Sequence, residues 1–443
     1  MSAYAGGRAE AHLRRVEAPV VYLDVVSEFP TVATLASLWR WWVAERLDEA
    51  DATEEARALL AGFSPEQSFK PTFWPRIAGV FCRVDPAGAV LPVRSRYALL
   101  ADRRAAAAWQ IGLPFLEQSV EPLWYALPDV LASLLLGGPT PQIVEAFRVA
   151  PVGMQPGLCP VALRGQIRID PAGEDFFRRV IEERKRVSVD PSLPLVERDR
   201  LQRFAKVVAN STSYGIGAEM RVEAPIAHGL MVDIFGLAQF ACRVRRPERP
   251  GKYCFPPLAA TVTALARLFL ALLQWAVERR GGTYLACDTD SLIVVASRDG
   301  GPVPALEGTD RRALSWAEVD EVRDRLNGLN PYDRSAVPDI IKLEDENFAQ
   351  RADGTVDRGC RVQLYGYAIS AKRFALYEHG PDGASVLRKR SEHGLGALLS
   401  PLDPDADHDV NRPGSDGGSI ALQEDGVHDR VQESAPVPEA VSA

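Results

Sequence analysis

Two carboxylates stand two residues apart at the tip of a short turn, Asp288 and Asp290 in Cys287-Asp288-Thr289-Asp290-Ser291. Side chains i and i+2 of an extended chain point the same way, so the pair concentrates negative charge on one side of the tip. A divalent cation between them would relieve the repulsion, and exposure to water would tolerate it; taken alone, the motif leaves both readings open. An EF-hand loop is excluded, because its sixth and twelfth positions are Ile293 and Asp299 where Gly and Glu are required. Asp24 is the best third ligand. It is the lone charge in the apolar run Val20 to Val26, and a buried carboxylate needs a cation, an ion-pair partner or donor hydrogen bonds. A further constellation lies in KVVANSTSYGI, Lys206 to Ile216. Lys206 and Asn210, four apart, share one helix face, and Ser211, Ser213, Tyr214 and Gly215 close the helix. A basic helix with a glycine stop would look the same; beside two Asp-bearing strands, the pattern points to a cation lining an anionic, phosphate-bearing ligand.

The elements that must position these residues are readable in outline. Tyr284 to Ala286 and Leu292 to Ala296 flank the acidic turn as the strands of a β-hairpin, and Asp24 rides on a strand ending before Pro30. Leu35 to Leu60 reads as helix, residues 76–97 as a hairpin around Asp85-Pro86-Ala87-Gly88, and Pro128 to Leu136 as a short helix. Two helices, about Glu174 to Val187 and Leu195 to Ala209, are parted by Asp190-Pro191-Ser192 and carry Arg184, Lys185 and Lys206 among other basic residues. β-like segments run to Pro250. Pro256 to Val277 reads as a buried helix rather than a membrane span, since Arg267 interrupts it and two prolines begin it. A polar, mixed stretch runs to Pro338, followed by strands at Ile340 to Leu343 and Val362 to Ile369, the second ending at Lys372-Arg373-Phe374.

Composition sets the wider bounds. At 443 residues, 47% apolar and 25% charged, the chain has room for a sizeable core and two or three sub-domains. Its net charge of -8 resides in the stretch from Pro401 to Ala443, where ten Asp and Glu face two Arg, so the rest is neutral overall and basic clusters can dominate locally. That tail lacks apolar periodicity and is expected to be disordered. Six scattered cysteines without a CxxC pair suggest neither zinc nor a disulfide framework, and a reducing, cytoplasmic setting is the default.

In order along the chain, these segments resemble the palm and fingers of family B DNA polymerases. LDVVSEFPT resembles the first motif, DxxSLYPS; KVVANSTSYG the fingers motif KxxxNSxYG; and CDTDS the YGDTDS hairpin. IIKLEDENF, Ile340 to Phe348, and SAKRFALY, Ser370 to Tyr377, are similar to the later LELE and KKRYA segments. The resemblance implies an α+β fold: an antiparallel palm sheet with packed helices and a helical-hairpin fingers insertion. It divides the chain into a first palm part with an insertion (1–165), fingers (166–216), a second palm part (217–377), the start of a truncated thumb (378–400) and the acidic tail (401–443).

The same resemblance implies site roles. Asp24 and Asp290 would hold two Mg²⁺ ions, with the carbonyl of Val25 as a further ligand and Asp288 in support. Ser27 and Glu28 would meet the triphosphate through backbone N–H groups, and Arg184, Lys206 and Asn210 would grip it from the fingers. Phe29 stands where the family has a tyrosine that crowds a ribose 2′-hydroxyl. Tyr214 and Gly215 would pack against the nascent base pair, and Lys372 and Arg373 against the DNA backbone or minor groove. The implied partners are a DNA primer–template and deoxynucleoside triphosphates, with other replication proteins or a companion chain supplying missing domains, and no membrane.

Three departures stand out. Asn210 and Tyr214 are one residue further apart than in the family pattern, so one of them is displaced or a helix bulge absorbs the extra residue. Glu28 replaces an apolar residue, with its side chain free to point away. Exonuclease and complete thumb domains have no counterpart, which makes the chain look like a catalytic core. The expected activity is DNA-directed DNA synthesis; the other readings are an impaired remnant that binds nucleic acid and nucleotides, and a Mg²⁺-dependent nuclease or phosphatase, which leaves Lys206, Asn210 and Tyr214 without a task.

Overall fold

Valine, tyrosine and leucine around Asp24 favour extended backbone, and the strand they form, Glu17–Val25, is the central element of a nine-stranded sheet. The computed structural model describes residues 3–92, 115–116, 122–163, 167–234, 240–351, 353–380 and 382–392. The main path of the sheet runs Ala9–Ala11, Tyr284–Asp288, Ser291–Ser297, Glu17–Val25, Leu364–Ser370, Arg373–His379, Ser385–Glu392. Ile341–Leu343 pairs with the end of the Asp24 strand, and Leu314–Ser315 runs parallel to the end of the hairpin. Alternation along the central strand sends Val21, Leu23 and Val25 into the larger core and Val20 and Tyr22 into a second one.

The larger core is built on the helix Pro256–Glu278. Prolines in its first turn sacrifice only N–H groups that have no partner there, and Ala and Leu then carry it through the fold. It is long and apolar enough to cross a membrane, yet 89% of its most apolar window is covered by the rest of the fold. Arg267, its internal charge, makes a two-pronged ion pair with Asp129, both contacts at 2.8 Å, and donates to the carbonyls of Ala5 and Gly6. Against this helix pack Glu28–Leu35, Leu127–Leu135 and Trp316–Asn327. The basic helices are Phe176–Val189, N-capped by Asp175, and Leu195–Asn210; they pack on each other and on Glu28–Leu35.

The described residues form two compact units. One runs through Glu219 and resumes from Lys252 to Glu392; the other takes the described residues between Met220 and Gly251. The second unit consists of two antiparallel ribbons, Met220–Val222 with Glu248–Pro250 and Leu230–Ile234 with Phe240–Val244. The stretch 217–377 is therefore not one continuous part of the sheet domain.

Several sequence expectations are corrected. Leu35 to Leu60 is not one helix: Ser37 adopts a positive φ of 58°, short helices cover Trp39–Val43 and Thr53–Ala61, and Arg46–Asp51 is a strand. Pairing with Gln142–Val152 holds Arg46–Asp51 as a strand against the helix preference of Leu47, Glu49 and Ala50. The turn at Ala87 and Gly88 exists, but Val80–Asp85 pairs with Leu123–Ala126 and Gln142–Val152, while the described residues after the turn, Leu91–Pro92, pair with Phe115–Leu116. The polar stretch before Pro338 contains the helix Trp316–Asn327, announced by a Ser315/Glu318 capping box. Arg373 begins a strand instead of ending one. Through Glu392, the segment read as the start of a thumb is an edge strand of the main sheet. Residues 93–97 of the expected hairpin, 393–400 and the acidic tail lie outside the described residues.

Candidate active site

The site begins with strand register. Ser291 lies opposite Asp24, Leu292 opposite Leu23 and Ile293 opposite Tyr22, while the N–H of Val25 donates to the carbonyl of Asp290 at 2.8 Å. Asp288 in turn lies opposite Ser291, and Lys342 opposite Asp24 from the other edge. Directly paired residues of antiparallel strands share a face, so Asp288, Ser291, Asp24 and Lys342 form one row across four strands. The hairpin tip is held from outside as well. Thr289 takes a left-handed conformation, φ 55°, and its N–H donates to the carbonyl of Arg8 at 2.7 Å. Gly7 passes so close that a Cβ there would lie 2.6 Å from Thr289 Cγ2. Only glycine fits.

Charge is concentrated along this row. Lys342 Nζ stands 3.2 Å from Asp24 Oδ2 and 2.5 Å from Glu344 Oε1, and Lys372 Nζ is 3.5 Å from Asp288 Oδ1. Burial pushes Asp24 up to about 8, and the charge of Asp290 adds to it against the pull of Lys342. Burial and then Asp288 push Asp290 up to about 6. Glu28 is 2% exposed and neither of its carboxylate oxygens has a hydrogen-bond partner. Burial, followed by Asp290 and Asp24, holds its carboxyl well above the ordinary range. Its side chain is thus buried. Among the described residues no three His, Cys, Asp or Glu side chains form a ready-made ligand group, and Asp24 is paired with Lys342. The chemistry of the site nevertheless suits a cation: oxygen donors whose ionised forms are penalised by burial and by one another, and a buried carboxylate without a donor.

The basic helices approach the same place. After Val26 the chain turns through Ser27, left-handed at φ 48°, into the helix Glu28–Leu35, and Arg184 Nη1 donates to Ser27 Oγ at 3.0 Å. Lys185 beside it is lowered to about 8 by burial and next by Arg184. The rings of Phe29 and Tyr214 stack with centroids 4.7 Å apart and planes at 15°. Ser211–Gly215 forms a π-helical turn, which winds one residue more per turn than an α-helix would and takes up the extra position between Asn210 and Tyr214.

The structure therefore brings Asp24, Val25, Ser27, Glu28, Phe29, Arg184, Tyr214, Asp288 and Asp290 into one region, with Gly215 at the end of the π turn. Lys206 is exposed and Asn210 half-buried; among the described residues, no hydrogen bond or ion pair ties either side chain to the aspartates. Lys372 is engaged by Asp288, and Arg373 pairs in register with Glu392. Lys342 and Glu344 were not singled out from sequence, and Lys185 was given no role there. For Lys342 and Glu344 a signal existed, two charges at i and i+2 flanking Leu343, one in the short strand Ile341–Leu343 and one just after it. Lys185 had none, being one of several basic residues on its helix.

No family model matches the sequence, and no curated protein does. Solved structures show a distant likeness. Phi29 DNA polymerase in an orthorhombic crystal form matches at a TM-score of 0.39 and 13% identity, over 87% of this chain and 53% of that one. The phi29 enzyme with primer–template DNA and incoming nucleotides matches at 0.37 and 14%, again over 87% and 53%. The family B DNA polymerase of the hyperthermophilic archaeon Pyrobaculum calidifontis matches at 0.30 and 14%, over 87% of this chain and 28% of its own. The chain spans about half the length of the phi29 enzyme. It is a mixed α+β protein with a distant structural similarity to family B DNA polymerases.

Proposed function

We propose that this chain is the core of a DNA-templated DNA polymerase of the family B kind, joining deoxynucleotides to a primer 3′-hydroxyl. One observation carries the reading: the register that sets Asp24 beside the Asp288–Asp290 tip, with Arg184 on Ser27 and Tyr214 stacked on Phe29 at the same end of the strand. Two carboxylates on adjoining strands, a guanidinium from a basic helix and an aromatic stack are what positioning a nucleoside triphosphate against a primer end requires.

In this reading Asp24 and Asp290 hold two Mg²⁺ ions, with the Val25 carbonyl as a further ligand, and Asp288 supports them. The ions, when bound, supply positive charge to the triphosphate and lower the pKa of the attacking hydroxyl. Arg184, with Lys206 and Asn210 from the neighbouring helix, binds the phosphates, and the turn at Ser27 and Glu28 presents backbone N–H groups to them. Phe29 lies under the sugar and excludes a 2′-hydroxyl by bulk. Tyr214 and Gly215 flank the base pair, and Lys372, released from Asp288, joins Arg373 on the DNA backbone, a contact without sequence preference.

A second reading has one observation in its favour: Lys342 and Lys372 already neutralise Asp24 and Asp288, as they would in a protein that binds nucleic acid and nucleotides without catalysis. Primer extension with Mg²⁺ and deoxynucleotides separates the two. The polymerase reading expects extension by the parent chain and none by Asp290→Ala; binding of primer–template without any extension would leave the binding protein.

A further inference from the structure

Glu182 is the one charged residue buried on the helix Phe176–Val189, 3% exposed, at a place where an apolar side chain would pack without penalty. Arg178 Nε donates to its carboxylate at 2.7 Å, Arg186 Nη2 stands 3.8 Å away, and the backbone N–H of Asp333 donates to it at 2.8 Å. Arg186 also donates to the side chain of Asp333 at 3.4 Å, so two links join this helix to one residue of the loop that follows Trp316–Asn327. The preceding residue of that loop reaches the other way. The buried hydroxyl of Tyr332 lies 2.9 Å from Thr31 Oγ1, and because Thr31 gives its own proton to the carbonyl of Val26 at 2.6 Å, Tyr332 is the donor. Val26 precedes the left-handed Ser27, whose Oγ accepts from Arg184 at 3.0 Å. From Ser27 through Thr31, Tyr332 and Glu182 back to Arg184, these bonds close a ring.

We propose that Glu182 and Tyr332 are positioning residues for the triphosphate: they fix the helix so that Arg184 meets the Ser27 turn with its guanidinium already placed. The inference rests on the proposed function only in that both give Arg184 a triphosphate to hold. An unplaced arginine loses rotamer freedom when it grips a phosphate, and a placed one has less to lose. Ser27 keeps the guanidinium satisfied until phosphate oxygens take over from its hydroxyl. Neither Glu182 nor Tyr332 touches the nucleotide; their effect runs through Arg184.

The test is the binding of dATP with Mg²⁺ to the full chain, measured by calorimetry in a double-mutant cycle. Glu182→Ala and the milder Tyr332→Phe should each weaken binding, the first by about tenfold, the scale of re-ordering one long side chain. In an Arg184→Gln background neither should weaken it further. Should Glu182→Ala melt below the assay temperature, Tyr332→Phe, which loses one hydroxyl, carries the same cycle. Equal affinity of parent and variants, or the same fold loss with Arg184→Gln as without it, would overturn the inference, since either leaves the two residues a purely structural role. The expected coupling in a chain that binds dATP but extends no primer would support the inference while overturning the polymerase reading. No dATP binding by the parent at millimolar concentration would overturn both.

Discussion

Lys342 and Asp24 face each other across neighbouring strands, the ammonium 3.2 Å from the carboxylate. Lys342 also reaches Glu344, so one lysine serves two acids at the edge of the row that contains Asp288 and Ser291. The arrangement keeps Asp24 satisfied when no cation is present. Its burial and the charge of Asp290 still dominate, which gives the first prediction.

Asp24 titrates at about 8 in the folded protein against an ordinary value of 3.8, so the native state holds a proton that the unfolded chain releases. Stability from this group is therefore complete below the ordinary carboxylate range and is lost as pH rises toward 8. Asp24→Asn removes the dependence. In metal-free buffer the variant should gain on the parent as pH rises from about 5 to about 8, by ~2 kcal/mol once the partial exposure and the Lys342 pair are allowed for. Mg²⁺ should narrow the gap. Parallel melting curves at all pH values would remove the electrostatic argument.

Phe29 stacks on Tyr214, and the two together close one side of the proposed sugar pocket. Phe29→Val should raise ribonucleotide incorporation relative to deoxynucleotide incorporation by about tenfold, the scale of removing several buried carbons from a discriminating contact. Competition assays with paired nucleotides measure it; an unchanged ratio would place the ribose elsewhere.

The π turn Ser211–Gly215 makes a prediction about deletion rather than substitution. Removing Thr212 converts the turn to ordinary α-helix without rotating Tyr214 away from Phe29, and stability should change by less than about 1 kcal/mol. Removing Val207, within the α-helical stretch, rotates everything beyond it by about 100°. Urea denaturation of the two deletions should separate them clearly.

Asp129 is 1% exposed and holds Arg267 in the middle of the core helix. Asp129→Ala strands a buried guanidinium and should cost about 3–5 kcal/mol. The double change Asp129→Leu with Arg267→Met should cost far less, since both charges leave together. Equal losses in the two proteins would show that the ion pair is not what matters there.

What the sequence disclosed, and what it withheld, follows from the range of the forces involved. Asp24, the acidic turn and the basic helix pair announce themselves locally: a lone charge in an apolar run, two carboxylates at i and i+2, and a Pro-containing break between two helical patterns. The extra residue before Tyr214 was visible too, though not which of three remedies the helix would adopt. Arg46–Asp51 was unreadable because its strand character comes from a partner about a hundred residues away. The destiny of Glu28 was equally hidden. Whether an acid at a helix start meets water or a core is decided by what packs over it. Lys342 could have been found by applying to Ile341–Leu343 the reasoning that found Asp24.

If Asp24 and Asp290 serve template-directed nucleotide addition, the choice of nucleotide must follow the template base and the rate must depend on both carboxylates. Single-nucleotide addition to a primer annealed to templates that differ in one base, with Mg²⁺ and each deoxynucleotide in turn, examines both dependences for the parent, Asp24→Asn and Asp290→Asn. The parent should add only the complementary nucleotide, and either variant should add it at least about a hundredfold more slowly, as expected when a metal-holding carboxylate is lost. Addition that ignores the template base, or that persists in both variants, would contradict the polymerase reading.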